Sequence, residues 1–351
     1  MPAYRALFVA FILFGSISAA QEAPQYQVDP SWPKPLPKGW INAQVGGNCV
    51  DSHDHSVIVD RRNITGEEAE TSIATPPIMM FDMEGNLIHS WGDPERVPAG
   101  IHGCSFDPDD NVWIAGNQDG IIQRYSHSGE LLMQIGTRGI VDTDDGTLDG
   151  AARNSAHDRF FRPSGVAVDP ENGDIYVSDG YGNRRVIVFD EEGNFLRQWG
   201  RQATQEEIEA GAGGVFAQVL HCIAISNEGL VYVCDRQGDR VQVFDKKGNF
   251  VRNIWIRNGT RELPDPRGTA WWVDFSPDEE QRYLYVMNGR NETVHVLDHE
   301  TGEILTTFGR PGHQIGNFTH GHTLAVDSEG NIYVAETNWG RRVQRFKLLM
   351  N

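Results

Sequence analysis

Three histidines, His102, His221 and His322, open short apolar stretches in Ile101-His-Gly-Cys104, Leu220-His-Cys-Ile223 and Gly321-His-Thr-Leu324. Three neutral imidazoles around one point, with a fourth position open, are the donor set of a catalytic zinc site. The same nitrogens accept cobalt, nickel or iron. Two arginines and a tyrosine stand in polar turns that could border such a site: Arg61 in Val57-Ile-Val-Asp-Arg-Arg62, Tyr181 in Ser178-Asp-Gly-Tyr-Gly-Asn183, and Arg236 in Cys234-Asp-Arg-Gln-Gly-Asp-Arg240. Guanidinium groups beside a metal suit an anionic substrate such as a carboxylate, which they grip through paired hydrogen bonds. A tyrosine beside two arginines and a dication is a candidate general base.

These residues converge only if a repeat brings them together, and the chain has one. A short apolar strand, a turn rich in Asp, Asn and Gly, and a β-branched strand recur, as in Gly165-Val-Ala-Val-Asp-Pro-Glu-Asn-Gly-Asp-Ile-Tyr-Val177 and Leu324-Ala-Val-Asp-Ser-Glu-Gly-Asn-Ile-Tyr-Val334. Third strands such as Arg240-Val-Gln-Val-Phe244 follow, and a further turn leads to a fourth. Four short strands with a period of roughly 50 residues describe a propeller blade. Aligned first strands place Gly46, His102, Ser164, His221, Trp271 and His322 at one position, which makes six blades. The predicted fold is all-β, a six-bladed β-propeller of NHL-type repeats. Alternate blades are related by roughly a third of a turn, so the three histidines point to the axis. The turns after the second strands lie on the same face, because neighbouring strands run antiparallel. That places Arg61, Tyr181 and Arg236 there too. His320 could line the same pocket. His53 and His55 read as solvated turn residues, and His157 and His313 as loop residues.

Composition narrows the partners. Hydrophobic residues make up 39% of the 351, enough for a real core. The formal net charge of −19 argues against nucleic acid, which needs a basic face. Much of the acid sits in turns such as Asp107-Pro-Asp-Asp110, where it serves turn geometry. Residues 1–20 read as an export signal, with Arg5, an apolar stretch from Ala6 to Ile17, and small residues before Gln21. Residues 21–45, rich in proline, read as an arm over the first blade, and 46–351 as the propeller. The expected location is secreted or periplasmic, with no membrane span and a monomeric chain. Cys222 and Cys234 flank one turn and suit a hairpin disulfide, whereas Cys49 and Cys104 could meet only across neighbouring blades. An insertion spans Thr137 to Asp158.

The run Phe161-Arg-Pro-Ser-Gly-Val-Ala-Val-Asp169, the Asp-Gly-Tyr at 179–181, His221 with Asp235-Arg236, and Gly321-His322 resemble the peptidyl-α-hydroxyglycine α-amidating lyases over nearly the whole mature chain. The resemblance implies zinc held by His102, His221 and His322. It implies functional roles for Tyr181, Arg236 and Arg61. The implied reaction breaks the C–N bond of a carbinolamide, releasing an amide and glyoxylate from a small anionic or C-terminal peptide substrate. It also implies a calcium with backbone ligands near Asn48 and Cys104, but Thr323 stands where that family has an acidic side chain. Two other readings use the same scaffold: a non-catalytic NHL propeller that binds a protein or glycan, and a lactonase-like metal-dependent hydrolase. The hydrolase would want oxygen ligands for calcium, where this chain has imidazoles.

Overall fold

The recurring Asp-x-x-Gly-Asn turns close by one device. Asp82, Asp190, Asp245 and Asp327 each accept the backbone N–H four residues on, at 2.7–2.8 Å. Gly85, Gly193, Gly248 and Gly330 within them hold φ of 80–88°, a left-handed conformation open to a residue without Cβ. Each turn sends the chain back antiparallel, and four strands make a blade.

The computed structural model describes residues 23–256 and 267–349, so the export segment expected at 1–20 lies outside the described residues. Six four-stranded sheets form the propeller. Their innermost strands are Val45–Val50, Ile101–Phe106, Pro163–Val168, Leu220–Ile225, Trp272–Phe275 and Gly321–Val326. Each touches the next, and the sixth touches the first. Second and third strands such as Ile175–Asp179 and Arg185–Phe189 are buried at every residue, because neighbouring blades cover both faces. Outermost strands such as Leu131–Ile135 are largely exposed. The core lies between blades: Trp113, Ile122, Val177 and Phe189 pack between the second and third, and Tyr176, Val188, Val233 and Phe244 between the third and fourth.

The N-terminal segment departs from the expected arm. Gln25–Val28 pairs antiparallel with Arg342–Leu349 and is the outermost strand of blade six, so the two ends of the chain close the ring. This stretch falls between Pro24 and Pro30 and keeps every N–H a strand needs. Beyond it the segment runs along blade one, where Lys34 N–H donates to Gly85 O and Trp40–Ile41 pairs with Ile73–Ala74.

Both disulfides form. Cys222–Cys234 spans the first two strands of blade four, and Cys49–Cys104 joins blades one and two. The 137–158 insertion is clamped to blade three. Buried Asp142 accepts from Ser155 N, Ala156 N and Asn183 Nδ2, and lies 3.3 Å from Arg185.

An acid closes the second strand in four blades and caps the chain entering that blade. Asp60, Asp179, Asp235 and Glu336 accept from the backbone N–H of Ala43, Phe161, Ala217 and Thr319 at 2.6–3.0 Å. Asp179 also holds Arg185 at 3.0 Å and Asp235 holds Arg240 at 2.8 Å, both pairs fully buried. The turns bearing Tyr181 and Arg236 are strung between these acids and arginines. Replacing Arg240 by Ala leaves the Asp235 carboxylate buried without its cation, and is expected to destabilise the chain by about 3–5 kcal/mol. Denaturant unfolding measures this; a loss below about 1 kcal/mol would show that the other donors suffice.

Candidate metal centre

The axial position falls on a fault in strand pairing. Register slips between Val45 and Gly47, Ile101 and Cys104, Pro163 and Gly165, Leu220 and Ile223, and Gly321 and Thr323. A β-bulge frees a residue from the ladder and re-aims its side chain. The bulges contain Gly46, His102, Ser164, His221 and His322. Blade five pairs regularly from Trp272, with Trp271 just ahead of it.

The three imidazoles meet on the axis, with ring centroids 4.6, 4.7 and 4.8 Å apart, and all three are buried. Each Nδ1 lies beside a backbone carbonyl of the next blade: His102 with Ser164 O at 2.7 Å, His221 with Trp271 O at 2.7 Å, and His322 with Gly46 O at 2.9 Å. A carbonyl only accepts, so each Nδ1 carries the proton and each Nε2 keeps a lone pair. Among the described residues the buried Nε2 of His221 has no hydrogen-bond partner. Burial holds all three imidazoles well below the ordinary histidine range, and neighbouring positive charge adds to this. Neutral rings with fixed Nδ1–H donors and convergent lone pairs are what a metal-binding trihistidine set requires. The residues present fit a metal ion such as zinc. Gly103 permits the close approach, since a Cβ there would lie 2.7 Å from Ser164 O.

Tyr181 and Arg236 join this cluster directly. The Tyr181 hydroxyl sits 3.0 Å from His102 Nε2 and accepts from Arg236 Nη1 at 3.2 Å. The Arg236 guanidinium lies over the rings of Trp271 at 4.8 Å and Tyr181 at 5.4 Å. Arg61 is on the same face but one step out. Its Nε donates to Ile101 O at 2.9 Å, and its Nη1 to Gln44 Oε1 and Thr337 Oγ1 at 3.1 and 3.4 Å. Burial lowers its own pKa, and its charge depresses those of His102 and His322.

The roles of Trp271 and Trp339 escaped the sequence reading, which names His320 as a residue that could line this pocket. Trp271, seen there only as a position without a ligand, supplies the carbonyl that orients His221 and a ring under Arg236. His320 packs edge-on against Trp271 and against Trp339, which is 78% exposed, and together they form an aromatic wall at the site. A tryptophan at the histidine register was the available signal.

The calcium position does not fit that ion. Thr323 Oγ1 donates to Asn48 Oδ1 at 2.6 Å and accepts from Asn48 N at 3.2 Å, so two neutral groups satisfy one another where a hard dication would need a carboxylate.

Fold and site define a six-bladed propeller with an axial trihistidine centre. The NHL repeat model matches residues 160–189. The chain is similar to peptidyl-glycine alpha-amidating monooxygenase B of Xenopus laevis, 29% identical over 248 residues, which cover 68% of this chain and 25% of that protein. It is 27% identical to peptidyl-alpha-hydroxyglycine alpha-amidating lyase 1 of Drosophila melanogaster, over 82% of this chain and 51% of that one. NHL repeat-containing protein 3 of Homo sapiens is 27% identical over 94% of this chain and 86% of its own. The chain thus spans a quarter and a half, respectively, of these two amidating enzymes and most of the NHL protein. Among solved structures, a streptogramin B lyase superposes with a TM-score of 0.56 at 10% identity, covering 92% of this chain and 98% of that one, which shows the shared fold alone.

Replacing His221 by Ala is expected to remove about one equivalent of bound transition metal per chain. Elemental analysis reads the metal, and circular dichroism checks that the propeller persists. Unchanged metal content would show that the ion sits elsewhere.

Proposed function

We propose that this chain is a secreted or periplasmic zinc-dependent lyase. It cleaves the C–N bond of a peptidyl-α-hydroxyglycine, or a similar carbinolamide, to an amide and glyoxylate. The observation that carries the proposal is the buried trihistidine centre with convergent Nε2 lone pairs, that of His221 without a partner, and the Tyr181–Arg236 pair at its edge. The amidating enzymes among the relatives support the reaction class.

His102, His221 and His322 would hold the zinc, which supplies Lewis-acid polarisation and acidifies a hydroxyl oxygen when bound. Tyr181 takes the proton from the substrate hydroxyl. The oxygen's electrons then form the C=O bond of glyoxylate, and the C–N electrons depart with the amide nitrogen. That nitrogen gains a proton, which Tyr181 is placed to return. Arg236, resting over the rings of Trp271 and Tyr181, presents its guanidinium to the substrate carboxylate, and Arg61 adds positive charge on the same face.

A non-catalytic binding propeller is the second reading, favoured by the long match to NHL repeat-containing protein 3. It gives no reason for a buried imidazole nitrogen without a partner.

Glyoxylate release from a small N-acyl-α-hydroxyglycine tests the proposal. The zinc-loaded protein is expected to turn over, and Tyr181→Phe to lower kcat about 10²–10⁴-fold with zinc retained. Arg236→Ala is expected to raise KM about 10–100-fold, the worth of a hydrogen bond to a charged group. No glyoxylate from the loaded wild type, or full kcat in Tyr181→Phe, would overturn it.

A further inference from the structure

A second set of metal-ligating side chains lies on the face opposite the trihistidine centre, where the first strand of blade one ends in Asp51-Ser-His-Asp-His55. Asp51 is buried, and its Oδ1 accepts the backbone N–H of His53 at 2.9 Å and of His55 at 2.8 Å. Its Oδ2 faces two imidazoles at once, His55 Nδ1 at 2.9 Å and His127 Nε2 at 2.7 Å. His127 comes from the outer turn of blade two, so the group bridges two blades. One ligand atom from each of the three residues lies within 4.8 Å of the others. The sequence reading left His53 and His55 in solvent. His53 is exposed, but His55 is turned in on Asp51.

We infer that Asp51, His55 and His127 form a second binding site for a divalent transition metal, bridging blades one and two. Two imidazoles and one carboxylate with open positions suit zinc, nickel or copper, whereas calcium would want more oxygen. The carboxylate is built in rather than incidental. Four hydrogen bonds fix its orientation, from the backbone N–H groups of His53 and His55 and from the rings of His55 and His127. The Cys49–Cys104 disulfide crosslinks the two blades two residues before Asp51, which sets His127 and Asp51 in register. His127 also rests against Phe106, two residues beyond Cys104.

Both rings can be freed for a metal. His55 and His127 are 26% and 40% exposed, so the proton each directs at Asp51 can move to its other ring nitrogen through water. An ion with bonds of about 2.0–2.1 Å needs tetrahedral donors ~3.3 Å apart. The present separations must therefore open by a few tenths of an ångström, within reach of a ring rotation at a partly exposed side chain. His53, stacked on His55 at 5.9 Å, stands beside the open side.

The test is equilibrium dialysis of the full chain against micromolar zinc chloride, with metal counted per chain and melting curves checking the fold. The wild type is expected to bind one equivalent more than either His55→Ala or His127→Ala. His221→Ala is expected to keep the equivalent that those variants lose. Anomalous scattering from zinc-soaked crystals is expected to show a peak between Asp51, His55 and His127. Equal zinc content in the wild type and both variants, or no peak there, would overturn the inference. The measurement does not depend on lyase activity.

Discussion

Each axial imidazole donates its Nδ1–H to a carbonyl of the next blade, and the chemistry available at the centre of this protein depends on that bond. It fixes the tautomer, aims the Nε2 lone pair at the axis, and locks ring rotation. The acceptors are the carbonyls of Gly46, Ser164 and Trp271, which occupy in the alternate blades the position that histidine holds in the others. Three blades present rings and the other three present the carbonyls that hold them. Six-fold architecture becomes a three-fold site. Gly46 keeps its place in this arrangement because a Cβ there would stand 2.3 Å from Ile101 O.

The rest of the site is tied to the same frame by bonds that leave little slack. Cys222, next to His221, is linked to Cys234, two residues before Arg236, so one covalent bridge relates a metal ligand to a guanidinium. Asp179 and Asp235 end the strands that precede Tyr181 and Arg236, and each is pinned by a buried arginine. The Arg236 guanidinium then rests over the rings of Trp271 and Tyr181. A guanidinium held this way loses little freedom on meeting an anion, which is how positioning lowers a barrier.

Six-bladed propellers host unrelated activities, so the fold does not choose a reaction. The choice rests on what occupies the axis. Here the axial donors are nitrogen, the nearby cations are arginines, and the Asn48–Thr323 pair is neutral and self-satisfied. That chemistry favours a borderline transition metal and an anionic substrate over a calcium-centred hydrolase.

Much of this was legible in the chain. Six repeats, the Asp-x-x-Gly-Asn turns, the alternation of His102, His221 and His322 and the turns bearing Tyr181 and Arg236 all follow from local patterns, because turn chemistry and strand alternation are properties of neighbouring residues. What lay beyond it involves partners far apart in the chain. The closing strand Gln25–Val28 is found only by its pairing with residues more than 300 positions away. The bulges that re-aim the histidines are slips of register between strands, which no single strand encodes. The carbonyls of Gly46, Ser164 and Trp271 are invisible in a sequence because every residue has one. Asp51 and His127 meet only because two blades pack side by side. Sequence states which groups are present and how often they recur; tertiary packing decides which of them share a cavity, and which nitrogen of each ring faces it.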